Sequence, residues 1–278
     1  MMSRNIKITI LADNNAFDGL ATEHGFSLWI EAGGKHILFD TGQTDTMTVN
    51  ARALGVDLRH TDILVLSHGH YDHTGGIPQV LALAPNAEIY RHPGVTQIRY
   101  SIRNGLPKPI HMQRESMIAL QRICSQKLHD VSMPLMLTDN IGLTGPIPRE
   151  TTFEDTGGPF YLDPEGVHPD PIDDDIALWI RTESGLIVCV GCCHAGLVNT
   201  LNLVQRLNHG QRIRAIIGGF HLSSASQDRM DQTVAELRRI ESDAVIPCHC
   251  TGDKAVAILQ KGLGEGVTPG AAGMILTF

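Results

Sequence analysis

Four apolar runs in this chain end the same way, each passing directly into a polar turn that carries histidine. Ile63-Leu64-Val65-Leu66 leads to His68, and Ile187-Val188-Cys189-Val190 leads to Cys192-Cys193-His194. Ala215-Ile216-Ile217 precedes His221, and Val245-Ile246 precedes Cys248-His249-Cys250. Short runs of this kind read as buried strands. Strand ends on one edge of a sheet are rigid platforms whose loops commonly carry chemistry. A fold that delivers histidines repeatedly to one edge can gather them around a metal ion.

Further strand signals lie at residues 6–11, 27–30, 36–39 and 177–180, and helical stretches alternate with many of them. Met117, Leu120, Cys124 and Leu128 share one helical face, as do Met230, Val234 and Leu237. Alternation of this sort favours an α/β domain with helices packed on sheet faces. With 278 residues, 42% of them hydrophobic, the chain can bury a sizeable core. Residues 93–171 differ: an amphipathic helix is followed by a stretch punctuated by Pro146, Pro148, Gly157, Gly158 and Pro159. This reads as an insertion covering the strand edge, within a single domain spanning 1–278.

Formal net charge is −8 without any run of like charges, so neither a nucleic-acid partner nor a membrane surface is expected. The opening Met1-Met2-Ser3-Arg4-Asn5-Ile6-Lys7-Ile8-Thr9-Ile10 is too short in apolar length for a secretory segment and reads as the start of a strand. Four of the six cysteines crowd beside histidines, at Cys192, Cys193, Cys248 and Cys250, which points to reduced thiols and a cytoplasmic location.

Ser67-His68-Gly69-His70-Tyr71-Asp72-His73 concentrates imidazoles and a carboxylate as His-x-His-x-Asp-His. That donor mixture suits a borderline divalent metal. His68 and His70 would project far apart on a regular helix. The motif therefore needs an irregular strand-to-helix turn, which Gly69, Gly75 and Gly76 permit.

His-x-His-x-Asp-His after an apolar strand resembles the signature of the metallo-β-lactamase superfamily, and Leu38-Phe39-Asp40-Thr41-Gly42 is similar to its early Asp motif. Five other segments resemble one branch, the dihydropterin ribofuranosylaminobenzene phosphate synthase-like proteins. They are Glu23-His24-Gly25-Phe26-Ser27, the run from Leu143 to Arg149, Gly191-Cys192-Cys193-His194-Ala195-Gly196, Gly218-Gly219-Phe220-His221-Leu222, and Pro247-Cys248-His249-Cys250-Thr251-Gly252.

The resemblance implies an αβ/βα four-layer sandwich with two divalent metals at one edge, zinc first, iron or manganese as alternatives. It implies His68 and His70 at the first metal, completed by His194. Asp72, His73 and His249 would hold the second, with Asp40 supporting the loop without binding metal. One position departs from the superfamily. Where relatives carry a bridging Asp after glycine, Gly191 is followed here by Cys192. Cys192 or Cys193 could serve as a soft ligand, or an acidic substitute could come from Asp173, Asp174 or Asp175. His168 is the nearest candidate for the separate histidine that relatives place earlier. The cysteine spacing does not form the paired C-x-x-C hooks of a separate thiolate site.

Outside the ligands, His221 reads either as a substrate contact or as a core histidine, and His24 and Glu23 either line the pocket or form a surface turn. Arg149 either holds an anionic substrate group or is a solvated loop charge. Thr251-Gly252-Asp253-Lys254 opens a helix with Asp253 as its N-cap, placing Lys254 as a further substrate candidate.

The function expected is a metal-dependent hydrolase. A bound divalent metal lowers the pKa of water from about 16 toward about 7, supplying hydroxide at neutral pH. Asp72 would hold its metal and orient that water. The substrate expected is a phosphorylated or ester-type small molecule, pterin-related if the branch resemblance extends to it. A cytoplasmic location counts against antibiotic hydrolysis. The alternatives are a di-iron oxidoreductase and a non-catalytic ligand-binding protein on the same fold.

Overall fold

The computed structural model describes residues 6–278; residues 1–5, the beginning of the segment read as a first strand, lie outside the described residues. Strands form at each position the sequence marks: Lys7–Ala12, Ser27–Ala32, Lys35–Phe39, Ile63–Leu66, Leu178–Thr182, Gly185–Val190, Ile213–Gly219 and Ala244–Cys248. The first four lie side by side in a seven-stranded sheet, flanked by Ile275–Thr277 on one side and by Glu88–Arg91 and Leu128–Asp130 on the other. The last four belong to a six-stranded sheet that continues through Ile141–Leu143 and Leu135–Thr138.

Side-chain alternation explains how the sheets stack. Ile63 and Val65 enter an apolar layer shared with Leu178, Ile187, Ile217 and Ile246 of the other sheet. Leu64 and Leu66 point the opposite way, into a layer with Met47, Ala51, Ile77 and Val80 from the helices Thr46–Ala53 and Ile77–Leu83. On the far side, Val188 and Val190 pack with Leu201, Val204, Met230, Leu237 and Leu259 from Leu197–Leu207, Gln227–Ile240 and Asp253–Leu263. Strands covered on both faces read as continuous apolar runs, which is why these were visible in the sequence. The product is helix, sheet, sheet, helix: the four-layer sandwich expected.

Pairing direction creates the functional edge. Gly185–Val190, Ile213–Gly219 and Ala244–Cys248 run parallel, with Val190 opposite Gly218 and Gly219 opposite Cys248. Their ends are level, so the turns carrying Cys192, His221 and His249 emerge together. Lys35–Phe39 and Ile63–Leu66 are also parallel, with Phe39 opposite Val65, which sets Asp40 beside Ser67.

Two expectations change in detail. The helix containing Met117 and Leu120 covers only Arg114–Gln121; Cys124 is exposed and Leu128 begins a strand paired with Ile89. Met117, Leu120 and Leu128 nonetheless pack on one core layer, which produced the helical spacing. Within residues 93–171, that helix and the strands Leu128–Asp130, Leu135–Thr138 and Ile141–Leu143 are integral to the sandwich. What lies over the strand edge is narrower: a small sheet of Tyr100–Arg103, Leu106–Pro109 and Phe160–Tyr161.

Candidate metal centre

The metal motif folds as an extended turn followed by one helical turn. His70 has extended backbone angles (φ −74°, ψ 149°), and Tyr71–Thr74 is helical. Gly69 is required there, because a Cβ would sit 2.0 Å from the Val95 carbonyl oxygen. Gly191 is constrained likewise, its Cβ position being 2.1 Å from Ser67 Oγ. The second of these approaches is where the edges of the two sheets meet.

Four non-glycine residues just past strand ends adopt left-handed backbone angles: Asp40 (φ 60°), Cys193 (φ 52°), His221 (φ 46°) and His249 (φ 48°). Such angles cost about 1 kcal/mol or more each for an L-residue. The cost is sustained because neighbouring contacts hold these corners, and the chain turns sharply enough to face the cluster.

Hydrogen bonds set which nitrogen each imidazole presents. Ser67 Oγ donates its proton to Asp40 Oδ2 at 2.6 Å, so the His68 Nδ1–H must donate to Ser67 Oγ at 2.9 Å. His194 Nδ1–H donates to the Thr156 carbonyl at 2.8 Å, and His249 Nδ1 meets Asn14 Oδ1 at 2.8 Å. In each ring Nε2 is left as the bare nitrogen. Nε2 of His68, His70, His194 and His249 is buried with no hydrogen-bond partner. His249 Nε2 does lie 3.3 Å from Asp72 Oδ2, but without hydrogen-bonding geometry. Buried polar atoms left bare are costly, and several facing one another mark a place shaped for an ion.

Burial pushes the pKa of His68, His70 and His194 well below 6.5, keeping them neutral at pH 7. His73 differs. Burial opposes its charge, but the Asp40 carboxylate, 2.7 Å from Nδ1, outweighs it and raises the pKa to about 9. Burial also disfavours a charged Asp72, yet His24 at 3.0 Å and His249 hold its carboxyl well below the usual carboxylate range. Burial raises the Cys192 thiol well above 9.

Ligand atoms of His68, Cys192 and His194 lie within 4.8 Å of one another, as do those of His73, Cys192 and His249, and of His24, Asp72 and His249. Cys192 Sγ is 3.1 Å from His73 Nε2. Cys192 is thus the atom common to both histidine groups, at the position where the superfamily's bridging Asp was expected. Of the acidic alternatives, Asp173 is exposed and the other two are engaged elsewhere. Asp174 accepts from Gly69 N at 2.8 Å and from Arg99 Nη1 at 2.9 Å, while Asp175 accepts from Ala195 N at 2.7 Å. Cys193 belongs to the apolar layer beneath the helices.

Several sequence candidates fall outside the cluster. The His168 side chain is 73% exposed and sits 3.0 Å from Asp163. Arg149 is an exposed residue whose guanidinium donates to the carbonyls of His194, at 2.6 Å, and Pro171. These two bonds tie the His194 turn to the Pro171 segment. Lys254 is exposed as the second residue of the last long helix, and Asp253 is the first helical residue instead of the cap, which is Gly252 at φ 77°. Glu23 accepts from the backbone of Gln43 and Thr44 and closes a loop. His221 does reach the cluster, its ring centroid 4.4 Å from that of His194.

A cavity of about 560 Å³ opens onto the cluster, bounded by His70, Asp72, Cys192, His221, His249 and Cys250. Its outer wall is the hairpin Tyr100–Arg103/Leu106–Pro109, where Ser101 faces Lys108 and Arg103 faces Leu106; all four line the cavity. Lys108 Nζ lies 3.2 Å from the Tyr71 hydroxyl. Sequence reasoning missed Arg103 and Lys108. Their alternation with Ser101 and Leu106 about a tight Asn104-Gly105 turn was the available signal.

The family model described as "Metallo-beta-lactamase superfamily" matches residues 21–202. A 7,8-dihydropterin-6-methyl-4-(beta-D-ribofuranosyl)-aminobenzene-5'-phosphate synthase from Methanocaldococcus jannaschii is 29% identical over 99% of this chain and 97% of its own. An uncharacterized protein from the same organism is 29% identical over 91% of this chain and 94% of its own. Among solved structures, Tm1679, described as a metal-dependent hydrolase of the beta-lactamase superfamily, superposes with a TM-score of 0.83 at 29% identity, covering 98% of both chains. The metallo-beta-lactamase fold protein YhfI from Bacillus subtilis, at 13% identity, TM-score 0.59 and 99% and 100% coverage, shares the fold. Sandwich, motif and comparison agree: this chain belongs to the metallo-β-lactamase superfamily, whose members bind divalent metal ions.

Proposed function

We propose that this protein is a metal-dependent hydrolase of a phosphorylated or ester-type small molecule, with a pterin-related phosphate as the first candidate substrate. The observation that carries this reading is the set of four buried imidazole Nε2 atoms, bare and gathered beside Asp72 and Cys192. His68, His70 and His194 would hold one ion and Asp72, His73 and His249 a second, with Cys192 between them. Zinc is the ion favoured by this nitrogen-rich set with one sulfur. Such ions supply an acidified water and a Lewis acid toward phosphoryl or carbonyl oxygen.

The chain's own groups do the remaining work. Asp40 and Ser67 orient His73 and His68 through the bonds above, so the ligands need not reorganise. Asp72, charged at neutral pH and held by His24, is placed to orient a water at the cavity floor. Arg103 and Lys108 would attract an anionic group, while Tyr71 and Phe160 offer rings to a flat one. We read the chain as one domain in which the small sheet carrying this wall, part of residues 93–171, covers the substrate.

The test is turnover by metal-loaded protein on phosphodiesters, phosphomonoesters, thioesters and lactones, with oxygen-18 water to trace the new bond. Metal-dependent product carrying the label is expected; no turnover on any class would sink the hydrolase reading. The synthase name of the M. jannaschii relative supports a second reading, in which an organic acceptor takes the place of water. Unlabelled condensation product would favour it.

The ligand set also predicts proton release. His73, with a pKa of about 9, and Cys192, higher still, both carry protons at pH 7.5 in the metal-free protein. Metal binding must displace them, so about two protons should leave as the sites fill, and affinity should fall as pH drops. Calorimetry in two buffers of different ionisation enthalpy counts them. Zero release would exclude both residues as ligands.

A further inference from the structure

Cys192 belongs to a third group besides the two histidine sets. Its ligand atom lies within 4.8 Å of those of His221 and Cys250, and these two within 4.8 Å of each other. All three line the cavity described above, so an ion could reach them from solvent. His221 is held in place on two sides: its φ of 46° is left-handed, and a Cβ on Gly157 would stand 2.0 Å from the ring. Nδ1 of that ring is buried without a partner. Cys250 Sγ lies within hydrogen-bonding reach of the Cys192 and His221 side chains, with the Cys192 carbonyl 3.9 Å away. The neighbouring thiols are placed otherwise. Cys193 and Cys248 sit in the two apolar layers, and neither joins any ligand group among the described residues.

We propose that Cys192, Cys250 and His221 form a Cys2His ligand set for a soft divalent ion, so that one side of the centre is thiolate-rich. Two sulfurs and an imidazole select zinc, cadmium, cobalt(II) or iron(II) over magnesium, manganese or calcium, which prefer oxygen. Three protein ligands leave a position for water or substrate, and that position would face the cavity. The proposal rests on Cys192 lying in the metal pocket assigned above. It adds Cys250 and His221, which no part of the two-metal reading requires.

Cobalt(II) titration of the full chain tests it, read by sulfur-to-cobalt charge-transfer absorption. The wild type should show the band, and Cys250→Ser should reduce it to about half, since one of two sulfur–metal bonds is lost. Cys192→Ser combined with Cys250→Ser should abolish it, while Cys193→Ala and Cys248→Ala leave it unchanged. Zinc should also protect Cys250 from iodoacetamide in the wild type, mapped by mass spectrometry, which needs no variant to fold. A Cys250→Ser spectrum equal to wild type, or Cys250 alkylation indifferent to zinc, overturns the Cys2His set and leaves the two-metal reading intact. A full band persisting in His68→Ala/His70→Ala supports this set independently of the histidine sites. Absence of any cobalt uptake overturns both.

Discussion

Replacing His68 and His70 together with alanine is expected to cost about one equivalent of bound metal per chain, that of the site they share with His194. Turnover should fall on the order of 10³-fold or more, a loss of about 4 kcal/mol in transition-state stabilisation. The fold should survive. Each substitution removes a buried Nε2 that has no partner in the metal-free chain. At His68 the lost Ser67 bond, about 1 kcal/mol, is the main stability term. The variant should therefore melt close to the metal-free wild type, and well below the metal-loaded one. Two equivalents of metal retained in the double variant would contradict the assignment of these residues as ligands.

The largest stability effect is expected at Asp40, which binds no metal in this scheme. Its carboxylate is fully buried and accepts from Ser67 N at 2.7 Å, Ser67 Oγ at 2.6 Å and His73 Nδ1 at 2.7 Å. Asp40→Ala leaves three buried donors unpaired and should destabilise the protein by about 3–5 kcal/mol. Asp40→Asn restores only part of this, because its amide nitrogen would confront donors. The effect should depend on pH in the metal-free protein. The folded pKa of His73 is about 9, above the ordinary 6.5, so the pair's contribution is complete below about 6.5 and is lost as pH rises through about 9. Denaturant melts of wild type and Asp40→Asn at pH 6.5 and pH 10 should thus differ more at the lower pH. A constant difference would show that His73 is not charged by Asp40.

What could be read from the sequence followed the range of the interactions involved. Strands buried on both faces announce themselves as apolar runs, and His-x-His-x-Asp-His compresses half the cluster into six residues. Asp40 was equally legible as part of a short motif. Arg149, His168 and Lys254 could not be placed from the sequence, because a charge near a motif in sequence says nothing about where its side chain ends. Arg149 is captured by carbonyls of His194 and Pro171, at sequence separations of 45 and 22. The covering hairpin was hidden for a related reason. Tyr100–Arg103 is only half-buried and Leu106–Pro109 is exposed, so no apolar face marked the hairpin, and only the Asn104-Gly105 turn with its flanking alternation pointed to Arg103 and Lys108. Cys250 needed the level ends of the parallel strands before its distance from Cys192 and His221 could be known.

The left-handed corners at Asp40, Cys193, His221 and His249 place durability and chemistry in opposition. Glycine would relax each corner at little steric expense, yet at three of them it would delete an imidazole or carboxylate of the centre. Heat resistance in this scaffold therefore has to be engineered at a distance from the strand tips, for instance along the solvent side of the helix Gln227–Ile240.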